Sequence, residues 1–188
     1  MLKNIQKIVL AAAFAAATPV IAQEATTADP GLSTGEDLKN PAPEVRSETI
    51  GDWTVNCQIL AEGENCQMTQ LLLDSSETPV IEVNFFPVPA SEQVFAGGSI
   101  MAPLQTLLTS QMTIAIDDAL AKRYPFAFCM PAGCVARVGL TKEDVAAYKK
   151  GNEANVTIVP AGAPDKQVRL KMSLTGFTKA FDTMSGKK

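Results

Sequence analysis

A chain of 188 residues with 16 basic and 20 acidic side chains carries a net charge of −4 at pH 7 and contains no histidine. The missing imidazole removes Ser–His and Cys–His nucleophile pairs, histidine general bases and the commonest metal ligand in one step. The acidic balance, with no cluster of Lys and Arg, argues against a nucleic-acid binder, which needs cations to displace counterions from phosphates.

Residues 1–22 read as a secretory signal peptide. Lys3 and Lys7 form the basic start, Ile8 to Ala17 the apolar run and Pro19 a break; Val20-Ile21-Ala22 then sets cleavage before Gln23. The run is shorter than the roughly 18–20 residues of a spanning helix. No later segment is long and apolar enough to cross a bilayer, so no transmembrane segment is expected in the mature chain. Cleavage removes Lys3 and Lys7, leaving 14 basic against 20 acidic residues and a net charge of −6. The expected location is exported, either periplasmic or at the outer surface. Residues 23–48, rich in Pro, Thr, Ala and acidic side chains, read as a flexible leader that buries too little surface to offset its ordering entropy. Within it, Val45 to Ile50 is where an ordered first strand would lie. Residues 49–188 remain as a single disulfide-stabilised β domain.

Short apolar runs recur along that domain. Trp53-Thr54-Val55-Asn56-Cys57 alternates as a half-buried strand does, placing Trp53, Val55 and Cys57 on one face. Further strands are predicted at Cys66–Leu73, Val80–Phe86, Ser99–Met101 and Gln111–Ile116. Two hairpins follow, Phe126–Cys129 with Val135–Gly139 and Val156–Val159 with Val168–Met172. Thr141-Lys142-Glu143-Asp144 resembles a helix cap and predicts a helix to Lys150, stopped by Gly151. Phe177, Ala180, Phe181 and Met184 fall at helical spacing and predict a second helix, whereas Leu104 to Leu108 is ambiguous. The fold class expected is mainly β, an antiparallel β-sandwich, immunoglobulin-like or jelly-roll-like, with one or two short helices.

Four cysteines allow three pairings. Local pairing suits the predicted turns. Cys57 ends one strand and Cys66 begins the next, while Cys129 and Cys134 flank Met130-Pro131-Ala132-Gly133, a turn-forming sequence. A redox pair ordinarily has two intervening residues and a helix start, and structural zinc has shorter spacings than these. The sulfurs therefore read as scaffolding. Asp117-Asp118 reads as a strand terminator and Glu143-Asp144 as the acidic first turn of a helix, not as paired catalytic carboxylates. Asn155-Val156-Thr157 matches a glycosylation acceptor, a pattern frequent by chance. No catalytic, cofactor-binding or metal-ligating residue is expected, and no cofactor.

The motifs Gly51-Asp52-Trp53-Thr54-Val55-Asn56-Cys57, Cys66 with Gln70, Pro125 to Ala136 around Cys129-Met130-Pro131-Ala132-Gly133-Cys134, and Ser173-Leu174-Thr175-Gly176-Phe177-Thr178-Lys179-Ala180 occur in this order. Together they resemble the invasion-associated locus B family across most of residues 50–181. The resemblance implies a small exported bacterial protein with a β-sandwich-like fold, periplasmic or surface-associated, in a family connected in pathogens with host-cell invasion. It brings no catalytic residue, cofactor or defined ligand. The function expected is that of a non-enzymatic envelope or surface binding module whose partner is an envelope or host-surface protein. The competing expectations are an inhibitor of a secreted hydrolase acting through Met130 to Gly133, and an enzyme using two carboxylates in one pocket.

Overall fold

The computed structural model describes residues 35–36, 44–89, 91, 93–117, 119 and 121–186. The chain divides into two units, 1–40 and 41–188, and every described helix and strand lies in the second. The signal peptide and most of the leader fall outside the described residues.

Eleven strands and two helices make up the second unit. In chain order they are β1 (Glu44–Ile50), β2 (Trp53–Leu60), β3 (Gly63–Leu73), β4 (Pro79–Pro87), β5 (Ala96–Ala102), β6 (Met112–Ile116), β7 (Lys122–Tyr124), β8 (Phe126–Met130), β9 (Gly133–Leu140), α1 (Lys142–Lys150), β10 (Glu153–Ile158), β11 (Val168–Ser173) and α2 (Phe177–Met184). They form two antiparallel sheets, a seven-stranded one in the order β1-β2-β3-β4-β5-β9-β8 and a four-stranded one in the order β11-β10-β6-β7. The large sheet is a meander of hairpins extended by the β8–β9 hairpin. This is the mainly β, antiparallel architecture the alternating runs predict.

β1 differs from the boundary drawn at residue 49. Residues 44–48 pair with β2 in register from Glu44↔Ile59 to Ile50↔Trp53. The one apolar side chain of 44–48, Val45, is exposed, and the neighbouring strand supplies the backbone partners that order the segment. The ambiguous Leu104 to Leu108 stretch resolves into a turn, a Thr106↔Pro160 bridge and a 3₁₀ turn at Leu108–Ser110.

The core lies on the inner faces of both sheets. Trp53, Val55 and Cys57 of β2 point inward, as do Met68 and Leu72 of β3, Ile81, Val83 and Phe85 of β4, and Ile100 of β5. From the small sheet come Ile114, Val156, Ile158, Leu170 and Met172. The helices contribute Val145 and Tyr148 from α1, and Phe177, Ala180, Phe181 and Met184 from α2. Phe177 lies at the centre of the aromatic packing, edge-on to Trp53 at 5.4 Å and stacked on Tyr148 at 5.3 Å. Burying each such ring contributes about 1.5–3 kcal/mol. Burial also pushes the Tyr124 hydroxyl up to about 12, with the Asp144 carboxylate adding to the effect.

One core-facing position of β3 is polar. Gln70 is buried between Met68 and Leu72. Its Oε1 accepts from the Ser173 amide at 2.8 Å, and its Nε2 donates to the Ser173 carbonyl at 3.0 Å and the Asp52 carbonyl at 3.1 Å. The side-chain amide thus stands in for a strand, satisfying the end of β11. The Trp53 indole Nε1 donates to the same Ser173 carbonyl at 3.0 Å. Beside this clamp the β1–β2 turn and the turn before α2 touch backbone to backbone. Gly51 and Gly176 both hold positive φ, 61° and 81°. A Cβ on Gly51 would overlap the Thr175 carbonyl, and one on Gly176 the Ile50 carbonyl. Asp52 closes the junction: its amide donates to the Thr175 carbonyl at 3.2 Å, and its carboxylate accepts from the Ser173 hydroxyl at 2.5 Å.

α1 begins as its sequence predicts. Thr141 and Asp144 form a reciprocal capping box, and Glu143 and Asp144 occupy the first turn. Burial pushes the Asp144 carboxyl up, but hydrogen bonds from the Lys122 ammonium and from the Thr141 amide and hydroxyl outweigh it and hold the group below its ordinary range. Asp117, after β6, receives the amides of Asn152 and Glu153 at 3.1 Å and so ties the start of β10 to the end of β6.

Gln70→Leu keeps the volume and removes three hydrogen bonds, leaving the Ser173 amide and the Asp52 carbonyl without their partner. Chemical denaturation is expected to show a loss of roughly 2–4 kcal/mol, against about 1 kcal/mol for Gln67→Leu on the opposite face. A depressed carboxylate contributes stability above its unfolded pKa and loses it as pH falls through the folded one. The stability gap between wild type and Asp144→Asn is therefore expected to be full at pH 7 and to close as pH drops below about 4, as measured by thermal unfolding across that range.

Candidate functional site: an apolar strip on the outer face of the large sheet

The cysteines brace the large sheet at two ends. Cys57 and Cys66 are directly paired across β2 and β3, with sulfurs 2.06 Å apart. Cys129 and Cys134 are paired across β8 and β9, with sulfurs 2.01 Å apart. The second pair closes a hairpin whose turn is Pro131-Ala132. Gly133 follows where a Cβ would overlap the Ala102 carbonyl of β5, so the hairpin packs tightly onto the sheet. Glu64 lies within 4.8 Å of the Cys57 and Cys66 sulfurs. Sulfurs bonded to each other offer no thiolate to a metal, however, and Arg46 holds the Glu64 carboxylate at 2.8 Å.

Asp117 and Asp144 have the backbone roles given above, and Asp118 lies outside the described residues. A different pair, Asp52 and Glu153, lines an open cleft of about 470 Å³ beside β11. Catalysis by two carboxylates needs one kept protonated in an apolar setting. Here Glu153 faces the Lys171 ammonium at 3.2 Å and Asp52 the Ser173 hydroxyl, so the cleft is an internally satisfied polar junction. Trp53, Phe85, Phe177 and Phe181 are fully buried in the core.

The outer face of the large sheet is different in character. The register lines up Leu71 of β3, Glu82 of β4, Met101 of β5, Val135 of β9 and Phe128 of β8 in one cross-strand row. Leu71 is 52% exposed and Phe128 46%, while Val135 is buried beneath its neighbours outside the core cluster. Leu73 and Met130 extend the strip at its border, 45% and 42% exposed. A shallow depression of about 310 Å³ lies among Leu71, Val80, Glu82, Met101, Pro103 and Ala132. The adjoining row, Thr69, Asn84, Ser99 and Arg137, is polar and internally bonded, with the Thr69 hydroxyl donating to Asn84 at 2.6 Å. An apolar strip rimmed by polar groups is the usual make-up of a contact surface.

Sequence reasoning did not find this strip. The signal was present in Leu71-Leu72-Leu73. In a strand, consecutive side chains alternate between faces, so three leucines in a row must leave at least one outside. Phe126-Ala127-Phe128 carries a related message through a bulge. Phe126 packs against the core and Phe128 pairs with Val135 on the outer face.

Comparison with known proteins places the chain. The family described as invasion associated locus B (IalB) protein matches residues 53–185. An invasion protein B homolog of Brucella abortus strain 2308 is 33% identical over 139 residues, covering 72% of this chain and 76% of its own. Invasion protein B of Bartonella bacilliformis is 24% identical over 142 residues, 74% of each chain. The crystal structure of invasion associated protein B from Bartonella henselae superposes with a TM-score of 0.65 at 23% identity, over 75% of this chain and 95% of that one, so the two share a fold. The matched span contains Gln70, Ser173 and both cysteine-braced hairpins, and the chain belongs to the invasion associated locus B (IalB) protein family.

Proposed function

We propose that this protein is an exported, non-enzymatic binding module that holds an envelope or host-surface protein against the apolar strip of its large sheet. The observation that carries this reading is the cross-strand row in which Met101, Val135 and Phe128 follow one another on an outward face, with Leu71 beyond Glu82. The two cysteine pairs support export, because such bonds persist in oxidising compartments. Among the described residues no helix is long and apolar enough to cross a membrane. The relatives named invasion protein B make a surface role the natural setting. A second reading, inhibition of a secreted hydrolase, is favoured by one feature. Met130 is exposed at the end of a hairpin braced by Cys129 and Cys134, as an inserting loop would be.

A double variant, Leu71→Lys with Phe128→Lys, separates binding from folding. Both side chains are exposed and outside the core, so stability is expected to change by less than about 1 kcal/mol. In cross-linking on native envelope extract, the partner captured by wild type is expected to be lost with the double variant. Identical capture by both would contradict the strip as the contact surface. Met130→Gly that abolishes inhibition of a co-purifying hydrolase, with the strip intact, would favour the second reading.

A further inference from the structure

The outer face of the small sheet carries a different chemistry. Its register aligns Arg123 of β7, Thr113 of β6, Thr157 of β10 and Arg169 of β11 in one row across all four strands. The next row places Ala115, Asn155 and Lys171 side by side. At the usual strand spacing the two arginine Cα atoms stand about 14 Å apart, close enough for two long side chains to converge over the threonines between them. A depression of about 240 Å³ sits on this face, lined by Thr113, Asn155, Thr157, Gln167 and Arg169 together with three alanines.

Charge sets this face apart. No acidic side chain lines the depression. Glu153, on the same face, is committed to Lys171 at 3.2 Å. Arg123 and Arg169 are exposed and make no ion pair with any described residue. In a chain of net charge −4, two guanidinium groups with no ion pair to any described residue therefore stand at the two ends of a row of hydroxyl-bearing side chains. A planar guanidinium fork matches a tetrahedral oxyanion in a bidentate manner. Hydroxyl and amide side chains both donate and accept, which is what sugar hydroxyls require.

We propose that the outer face of the four-stranded sheet binds a saccharide bearing a sulfate or phosphate ester, with Arg169 and Arg123 gripping the anion and Thr113, Thr157, Asn155 and Gln167 the sugar. The site lies on the sheet opposite the apolar strip and does not rest on that strip's role. Positive charge on β7 and β11 also shields edge strands from pairing with another chain. Shielding calls for charge alone, whereas a ligand site calls for both arginines and the polar side chains between them.

Amide chemical shifts of the mature, oxidised protein decide the matter, titrated with glucose 6-sulfate, glucose 6-phosphate, inorganic phosphate and glucose. A sugar ester is expected to move the amides of Thr113, Asn155, Thr157 and Arg169. The stronger of the sulfate and phosphate arms identifies the ester, and glucose alone moves none. Arg169→Gln and Arg123→Gln are each expected to weaken binding about tenfold, as loss of one charge-assisted contact does. Arg137→Gln, on the other sheet, leaves it unchanged, and thermal unfolding confirms that all three variants fold. Inorganic phosphate binding as tightly as the esters overturns the saccharide assignment. Absence of any shift at millimolar ester, or equal affinity in the two arginine variants and wild type, overturns the site.

Discussion

The backbone of Ser173 is held from two directions by side chains distant in sequence. Gln70 takes both its amide and its carbonyl, and Trp53 takes the carbonyl as well. This contact fixes the end of β11 against β2 and β3, and so fixes where α2 starts. From there Phe177 enters the core against Trp53, Phe85 and Tyr148. The two facing glycines, Gly51 and Gly176, permit the approach because any side chain would collide with the opposite backbone. A buried amide with all its partners is a specific device. It tolerates one arrangement of the two sheets and penalises others by leaving polar groups unpaired.

The functional consequence is a division of labour within the molecule. The motifs that mark the family are spent on the scaffold: Gly51-Asp52-Trp53 and Ser173 to Phe177 on the inter-sheet junction, the cysteines on hairpins at opposite edges of the large sheet. Both proposed surfaces lie on the outward faces, where alternation along the strands leaves side chains free of packing duties. One outward face is apolar along the Leu71–Phe128 row but for Glu82, and the other basic and hydroxyl-bearing along the Arg123–Arg169 row. The two unlike faces belong to different sheets, the apolar row to the seven-stranded one and the basic row to the four-stranded one.

Much of the fold is legible in the chain because β-strands announce themselves locally. Trp53-Thr54-Val55-Asn56-Cys57 alternates in the sequence and alternates in burial. Thr141 and Asp144 stand three apart and form the cap. What was not legible depends on partners far away. The sequence marks Val45 to Ile50 as the place for a first strand, but that 44–48 belong to it and not to the leader shows only in their pairing with β2. The short β7 is likewise defined by pairing with β6, not by its own Lys122-Arg123-Tyr124. Gln70 stands out in the motif, yet nothing local tells that its amide meets a backbone 103 positions onward. The two candidate surfaces were hidden for the same reason, since a cross-strand row draws one residue from each of four or five strands and has no footprint in any single stretch.

The most direct test of this account is hydrogen exchange at the Ser173 amide and the Trp53 indole N–H in the oxidised mature protein. If the junction ties the two sheets together, both protons exchange only through global unfolding, at the slowest rates in the molecule. If they exchange as fast as the outward-facing amides of the edge strand β1 while the core strands stay protected, the junction opens independently of the fold, and the structure does not depend on it.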